Sequence, residues 1–184
     1  MTKSVLAFSV LFAVSFSVQA QTNAEAFITY TQNSSLYTYD INLHNTGTTN
    51  IGTLWYAWIP GEDYLPVAPS STSSPSGWTF TQTTSAGFGT GLRWTAPAAQ
   101  ELTPGSTLNG FTFTTTTTPA ELAGLSIFGN HPPVGTTFVY EHSFTGLSSS
   151  GGFATILVNP VPEPASLAVL GLGALCMVRR RKKI

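Results

Sequence analysis

Three histidines, one cysteine and eight acids are the first side chains of this 184-residue chain to test for metal, nucleophilic or acid–base chemistry. His44, His131 and His142 lie far apart, with no His-Glu-x-x-His spacing to set two imidazoles on one helix face, so a structural or surface role is expected for each. Glu141 and His142 are neighbours, and on a strand they would point to opposite faces. No serine stands in a Gly-x-Ser-x-Gly turn, and the one thiol, Cys176, lies in an apolar run near the end of the chain. Nucleophilic catalysis therefore has no candidate. Glu62 and Asp63, beside Tyr64, offer oxygens to a calcium ion, but two acids are a small part of the six to eight ligands it takes. The expectation is a protein that is not an enzyme and has no metal or cofactor.

The aromatic residues admit a sharper hypothesis. Trp55, Trp58, Tyr64, Trp78 and Trp94 are flat side chains that, on a sheet surface, can stack on sugar rings. The competing reading is that they are the core, since the chain between its two ends is poor in Leu and Ile and the rings must supply much of the buried area.

Two terminal stretches frame these residues. At the start, Lys3 gives a positive flank, Val5 to Val18 an apolar run, and Val18-Gln19-Ala20 small residues at the positions a signal peptidase reads. Residues 1–20 are read as a signal peptide cleaved after Ala20, which places the remainder outside the cytoplasm. At the other end, Pro162, Glu163 and Pro164 precede an uncharged run over residues 165–178 and then five cations, Arg179, Arg180, Arg181, Lys182 and Lys183. As a helix, the 14-residue run would cover about 21 Å. A hydrocarbon core is about 30 Å thick, so the span is short unless the long basic stems snorkel to the headgroups. The cations set the orientation, with the basic end cytoplasmic and everything N-terminal outside.

This order of triplet, apolar run and basic terminus over residues 161–184 resembles the PEP-CTERM sorting signal of Gram-negative, exopolysaccharide-producing bacteria. The resemblance implies that Pro162, Glu163 and Pro164 are the element read by an exosortase, with the helix a transient inner-membrane anchor. It also implies delivery to the cell surface or extracellular matrix, and the exopolysaccharide there as a partner.

Between the two addresses, residues 21–160 hold seven acids and a single base, Arg93, a net charge of −6. One cation cannot neutralise a phosphate backbone, so nucleic acid is excluded as a partner. Ala26 to Thr31 and Leu36 to His44 alternate at period two around a turn at Asn33-Ser34-Ser35, with Tyr37, Tyr39, Ile41 and Leu43 on one face. Ile51 to Ile59 reads as a fully buried strand, and Glu62 to Gly77 as a mobile Pro- and Ser-rich loop. Trp78 to Thr83 and Phe88 to Thr95 read as a hairpin that sets Trp78 and Phe80 opposite Leu92 and Trp94. In Leu108 to Thr116 the apolar parity slips, predicting a bulge at Asn109-Gly110. Thr114 to Thr118 reads as an exposed strand end and Pro119 to Gly124 as one helical turn. Thr136 to Phe144 and Phe153 to Val158 close the series.

Seven or eight short strands with almost no helix predict a single antiparallel β-sandwich, Ig-like or jelly-roll-like. Two functions fit it: a structural or adhesive matrix component, or a carbohydrate-binding module for the producer's own polysaccharide.

Overall fold

The computed structural model describes residues 20–59, 62–87, 89–124, 136–146 and 152–160. The first two strands, β1 (Ala24–Asn33) and β2 (Leu36–Asn45), form the expected hairpin, each somewhat longer than the sequence pattern suggested. Ser34 takes φ +58° in the two-residue turn, the backbone sign that lets a tight turn follow the twist of its strands. Alternation does the sorting: Ala24, Ala26 and Ile28 of β1 and Tyr39, Ile41 and Leu43 of β2 are buried.

Nine further strands follow in the described residues. They are β3 (Thr53–Tyr56), β4 (Trp58–Ile59), β5 (Glu62–Asp63), β6 (Ser71–Ser73), β7 (Thr79–Ser85), β8 (Gly89–Thr95), β9 (Thr107–Thr115), β10 (Thr136–Tyr140) and β11 (Phe153–Pro160). The only other regular elements described are a 3-10 turn at Ala98–Gln100 and the helix α1 (Pro119–Gly124). One layer runs β6-β9-β2-β1 and the other β10-β3-β8-β7, and β11 lies between β1 and β10. The all-β sandwich is thus as expected.

Strand β11 belongs to both layers. Phe153 to Leu157 pair antiparallel with β10, whereas Val158, Asn159 and Pro160 pair in parallel with Ala26, Phe27 and Ile28. That parallel stretch is an addition to the antiparallel arrangement read from the sequence. On the opposite side, Trp94 of β8 donates its indole N–H to the carbonyl of Ser73 in β6 at 2.9 Å, tying the layers together there. Between them the rings interlock: Trp94 meets Phe111 at 5.6 Å and Tyr56 meets Phe113 at 5.3 Å, centroid to centroid. Each such side chain withdrawn from water contributes on the order of 1.5–3 kcal/mol before the entropy of ordering is counted.

The bulge in β9 lies where the parity slip placed it. Ile41 opposes Phe111 but Leu43 opposes Leu108, so β9 spends one extra residue. Gly110 takes φ +96°, and its N–H is held by the Asp40 carboxylate at 3.2 Å.

Other readings change. The buried strand Ile51–Ile59 is broken at Ala57, which adopts φ +57° and separates β3 from β4. The loop over residues 62–77 is tied down, because Leu65 exchanges backbone hydrogen bonds with Thr90 and β6 pairs with β9. Phe80 does oppose Trp94, but Leu92 faces Gln82, since Trp78 precedes β7 and packs edge-on against Phe111. Within the threonine run Thr115 and Thr117 are buried, the Thr117 carbonyl accepting the Tyr39 hydroxyl at 2.8 Å.

Helix α1 starts on a capping box: Glu121 N–H donates to the Thr118 hydroxyl, and the Glu121 carboxylate accepts the Thr118 N–H. Those two bonds, the backbone one first, hold the Glu121 carboxyl below its ordinary range.

Candidate functional site

The sorting elements read from the sequence lie outside the described residues. These are residues 1–19, the triplet Pro162, Glu163 and Pro164, the run 165–178 and the cations Arg179, Arg180, Arg181, Lys182 and Lys183. Among the described residues no helix is long and apolar enough to cross a membrane. The chain enters the C-terminal stretch from Pro160, the last residue of β11, which is still paired with Ile28.

All five aromatic candidates are buried. Tyr64, Trp78 and Trp94 belong to the core between the layers. Trp55 and Trp58 belong to a second cluster with Phe138 and Tyr140, against which Phe144 packs. Strand alternation explains it: Leu54 and Tyr56 of β3 enter the main core, so Trp55 points out from the other face of the sheet. The left-handed turn at Ala57 then lays Trp58 over Trp55, with ring centroids 3.8 Å apart and planes 6° from parallel. The Trp55 indole N–H donates to the Thr83 hydroxyl at 3.1 Å, and Thr137 donates its hydroxyl to the Trp55 carbonyl. The Arg93 guanidinium sits 4.9 Å from the centre of the Trp55 ring. The sole base of residues 21–160 is therefore held, half-buried, against an aromatic ring. None of the five rings presents a free face for a sugar.

The titratable residues are dispersed. His142 pairs through Nδ1 with Glu101 at 3.0 Å, and Glu141 accepts the Gly152 N–H. Both lie beyond the end of β10, because that strand stops at Tyr140 rather than at Phe144, so strand alternation does not orient them. His44 stands at the end of β2, opposite Glu25. His131 and the side chains of Glu62 and Asp63 lie outside the description. Among the described residues no group of three or more His, Cys, Asp or Glu is placed to hold a metal ion. Burial pushes the hydroxyls of Tyr39, Tyr56 and Tyr64 far up, and that of Tyr140 up to about 12, so these act as neutral core groups.

A different set of residues forms a concave site on the outer face of the first layer. Phe27 and Thr29 of β1, Asp40 and Asn42 of β2 and Asn109 at the β9 bulge line a groove of about 340 Å³. The register sets Phe27 opposite Asn42 and Thr29 opposite Asp40. Phe27 is 40% exposed, and the extra residue at Asn109-Gly110 kinks β9 beside it. None of these five residues was among the site candidates read from the sequence, although a signal was there. Phe27 is the one large apolar residue of β1 at the outward parity, between Ala26 and Ile28.

Fold and termini together define the class: an all-β sandwich carried on a chain with a C-terminal sorting signal. The family model for the PEP-CTERM protein-sorting motif matches residues 160–182, so this chain carries that motif and is sorted to the cell surface by an exosortase. No curated protein matches the chain.

Proposed function

We propose that the protein is a non-enzymatic structural or adhesive component of the cell surface or of an exopolysaccharide matrix. The observation that supports this reading is the junction at Pro160: the matched motif begins at the residue on which the last strand ends. The sandwich is thus placed immediately ahead of its delivery signal. The five aromatic candidates read from the sequence are buried, and the lone arginine is stacked on one of them. In this reading residues 1–20 open the export route, residues 165–178 hold the precursor in the inner membrane, and signal peptidase and exosortase remove the two ends.

The test is a fusion in which a reporter replaces residues 21–160 and both the reporter and the C-terminus are followed. In cells that make the sorting enzyme, the tail should disappear from the reporter, and Ala at 162, 163 and 164 should leave it attached. A tail that persists at full length in such cells removes the processing step. Deleting the native chain should weaken matrix cohesion; unchanged cohesion removes the structural role.

A further inference from the structure

We infer that the outer-face groove at Phe27 binds a neutral polysaccharide. This goes beyond the delivery reading and depends on it only in that an exported chain meets glycans.

The groove has the chemistry of a polyol site. A partly exposed phenyl ring offers an apolar face to the C–H side of a sugar, and the rest of the lining is hydroxyl, amide and carboxylate. These polar groups have bonding capacity to spare. Among the described residues the side chains of Thr29, Asn42 and Asn109 make no hydrogen bond, and Asp40 uses one oxygen, Oδ1, on the Gly110 N–H. Two amides and a hydroxyl give both donors and acceptors, which is what vicinal sugar hydroxyls require. The Asp40 bond also fixes the bulge that carries Asn109, so the groove is shaped before any ligand arrives. A volume of about 340 Å³ sits at the small end of ligand sites, enough for a short stretch of glycan held along the sheet.

Charge selects the class of glycan. The lining holds one carboxylate and no base, and Arg93 is committed to Trp55 on the other layer. An anionic polysaccharide would meet Asp40 and a domain of net charge −6 with no counterion at the groove. A neutral chain meets no such repulsion. A peptide partner would need more apolar contact than one ring supplies.

The full-length chain, in detergent micelles, is applied to an array of neutral and acidic glycans, and dissociation constants are measured for the best hit. Binding is expected to neutral glycans. Phe27→Ala should weaken it about tenfold or more and Asn42→Ala by several-fold, while Phe153→Ala, which trims the exposed phenyl of the other layer, should leave it unchanged. Both groove variants change partly exposed side chains, and thermal melts matching wild type confirm their fold. No binding to any neutral glycan overturns the assignment, as does a preference for acidic glycans or a Phe27→Ala chain that binds like wild type. Tail processing in cells reads delivery separately, so the two proposals fail independently.

Discussion

The indole of Trp58 lies flat on that of Trp55, 3.8 Å away, with Phe138, Tyr140 and Phe144 around the pair. This stack on the outer face of β3 gives the second layer a core of its own. Trp58→Ala would open that cluster and is expected to lower unfolding free energy by about 3–5 kcal/mol in a denaturant titration. The exciton signature of the stacked indoles in far-UV circular dichroism should vanish with it. A loss below about 1 kcal/mol would mean that the cluster is not a core.

Two buried tyrosines should respond oppositely to the loss of a hydroxyl. Tyr39 donates to the Thr117 carbonyl, so Tyr39→Phe should cost about 1 kcal/mol and leave a buried acceptor short of a partner. Tyr56 is fully buried, and its hydroxyl has no partner among the described residues. Tyr56→Phe removes an uncompensated polar atom, and stability should stay level or rise by up to about 1 kcal/mol. Equal losses for the two variants would refute the distinction.

What the sequence made legible was what depends on side-chain parity. The β1–β2 hairpin, the inward face of Tyr39, Ile41 and Leu43, and the bulge beside Gly110 all follow from a period of two and its single slip. The break at Ala57 was hidden, because alanine gives no local sign of a left-handed residue. The parallel pairing of Val158 to Pro160 with β1 was hidden too, since tertiary packing chooses that partner. The five aromatic candidates were visible as a ring-rich set, but residue type alone does not separate core from platform. Phe27 does so only once its outward parity is read against its neighbours.

Alkaline pH should unfold the protein through its tyrosines. Burial raises the Tyr140 hydroxyl from 10.0 to about 12, and it raises those of Tyr39, Tyr56 and Tyr64 well above their ordinary value too. In the unfolded chain they ionise near 10.0. Above that pH the unfolded state has released protons that the folded state retains, so its free energy falls relative to the native state. The contribution is fully present below pH 10.0 and is lost as pH rises through the folded values. Tyrosinate absorbance should therefore appear together with loss of the β-sheet signal. Ionisation of all the tyrosines near 10.0 in a still-folded protein would contradict the burial.

Gly52 and Gly110 are needed for different reasons. A Cβ on Gly52 would fall 2.6 Å from the backbone carbon of His142 and 2.7 Å from the Ser143 nitrogen, where backbone rather than a flexible side chain must yield. Gly52→Ala should cost about 3 kcal/mol or more and disturb the segment after β10. At Gly110 a Cβ would only touch Pro75 at 3.9 Å, so the cost of Gly110→Ala comes from φ +96° and should be about 1–2 kcal/mol. Chemical unfolding of the two variants checks the order, and the reverse order would show that the close approach at Gly52 is relieved at little cost.

The position of the sorting cut is constrained by β11. Val158 is buried, and Val158 to Pro160 form the parallel half of the strand that joins the two layers. A chain ending at Leu157 would lose that valine and those three pairs, and should be less stable than one ending at Pro160 by about 2–4 kcal/mol. A sorting reaction that releases the product at full stability is therefore expected to cut after Pro160. Mass spectrometry of the processed protein is expected to find a C-terminus at residue 160 or later. A natural terminus at or before residue 157, with the sandwich intact, would show that β1 and β10 hold together without the strand they share.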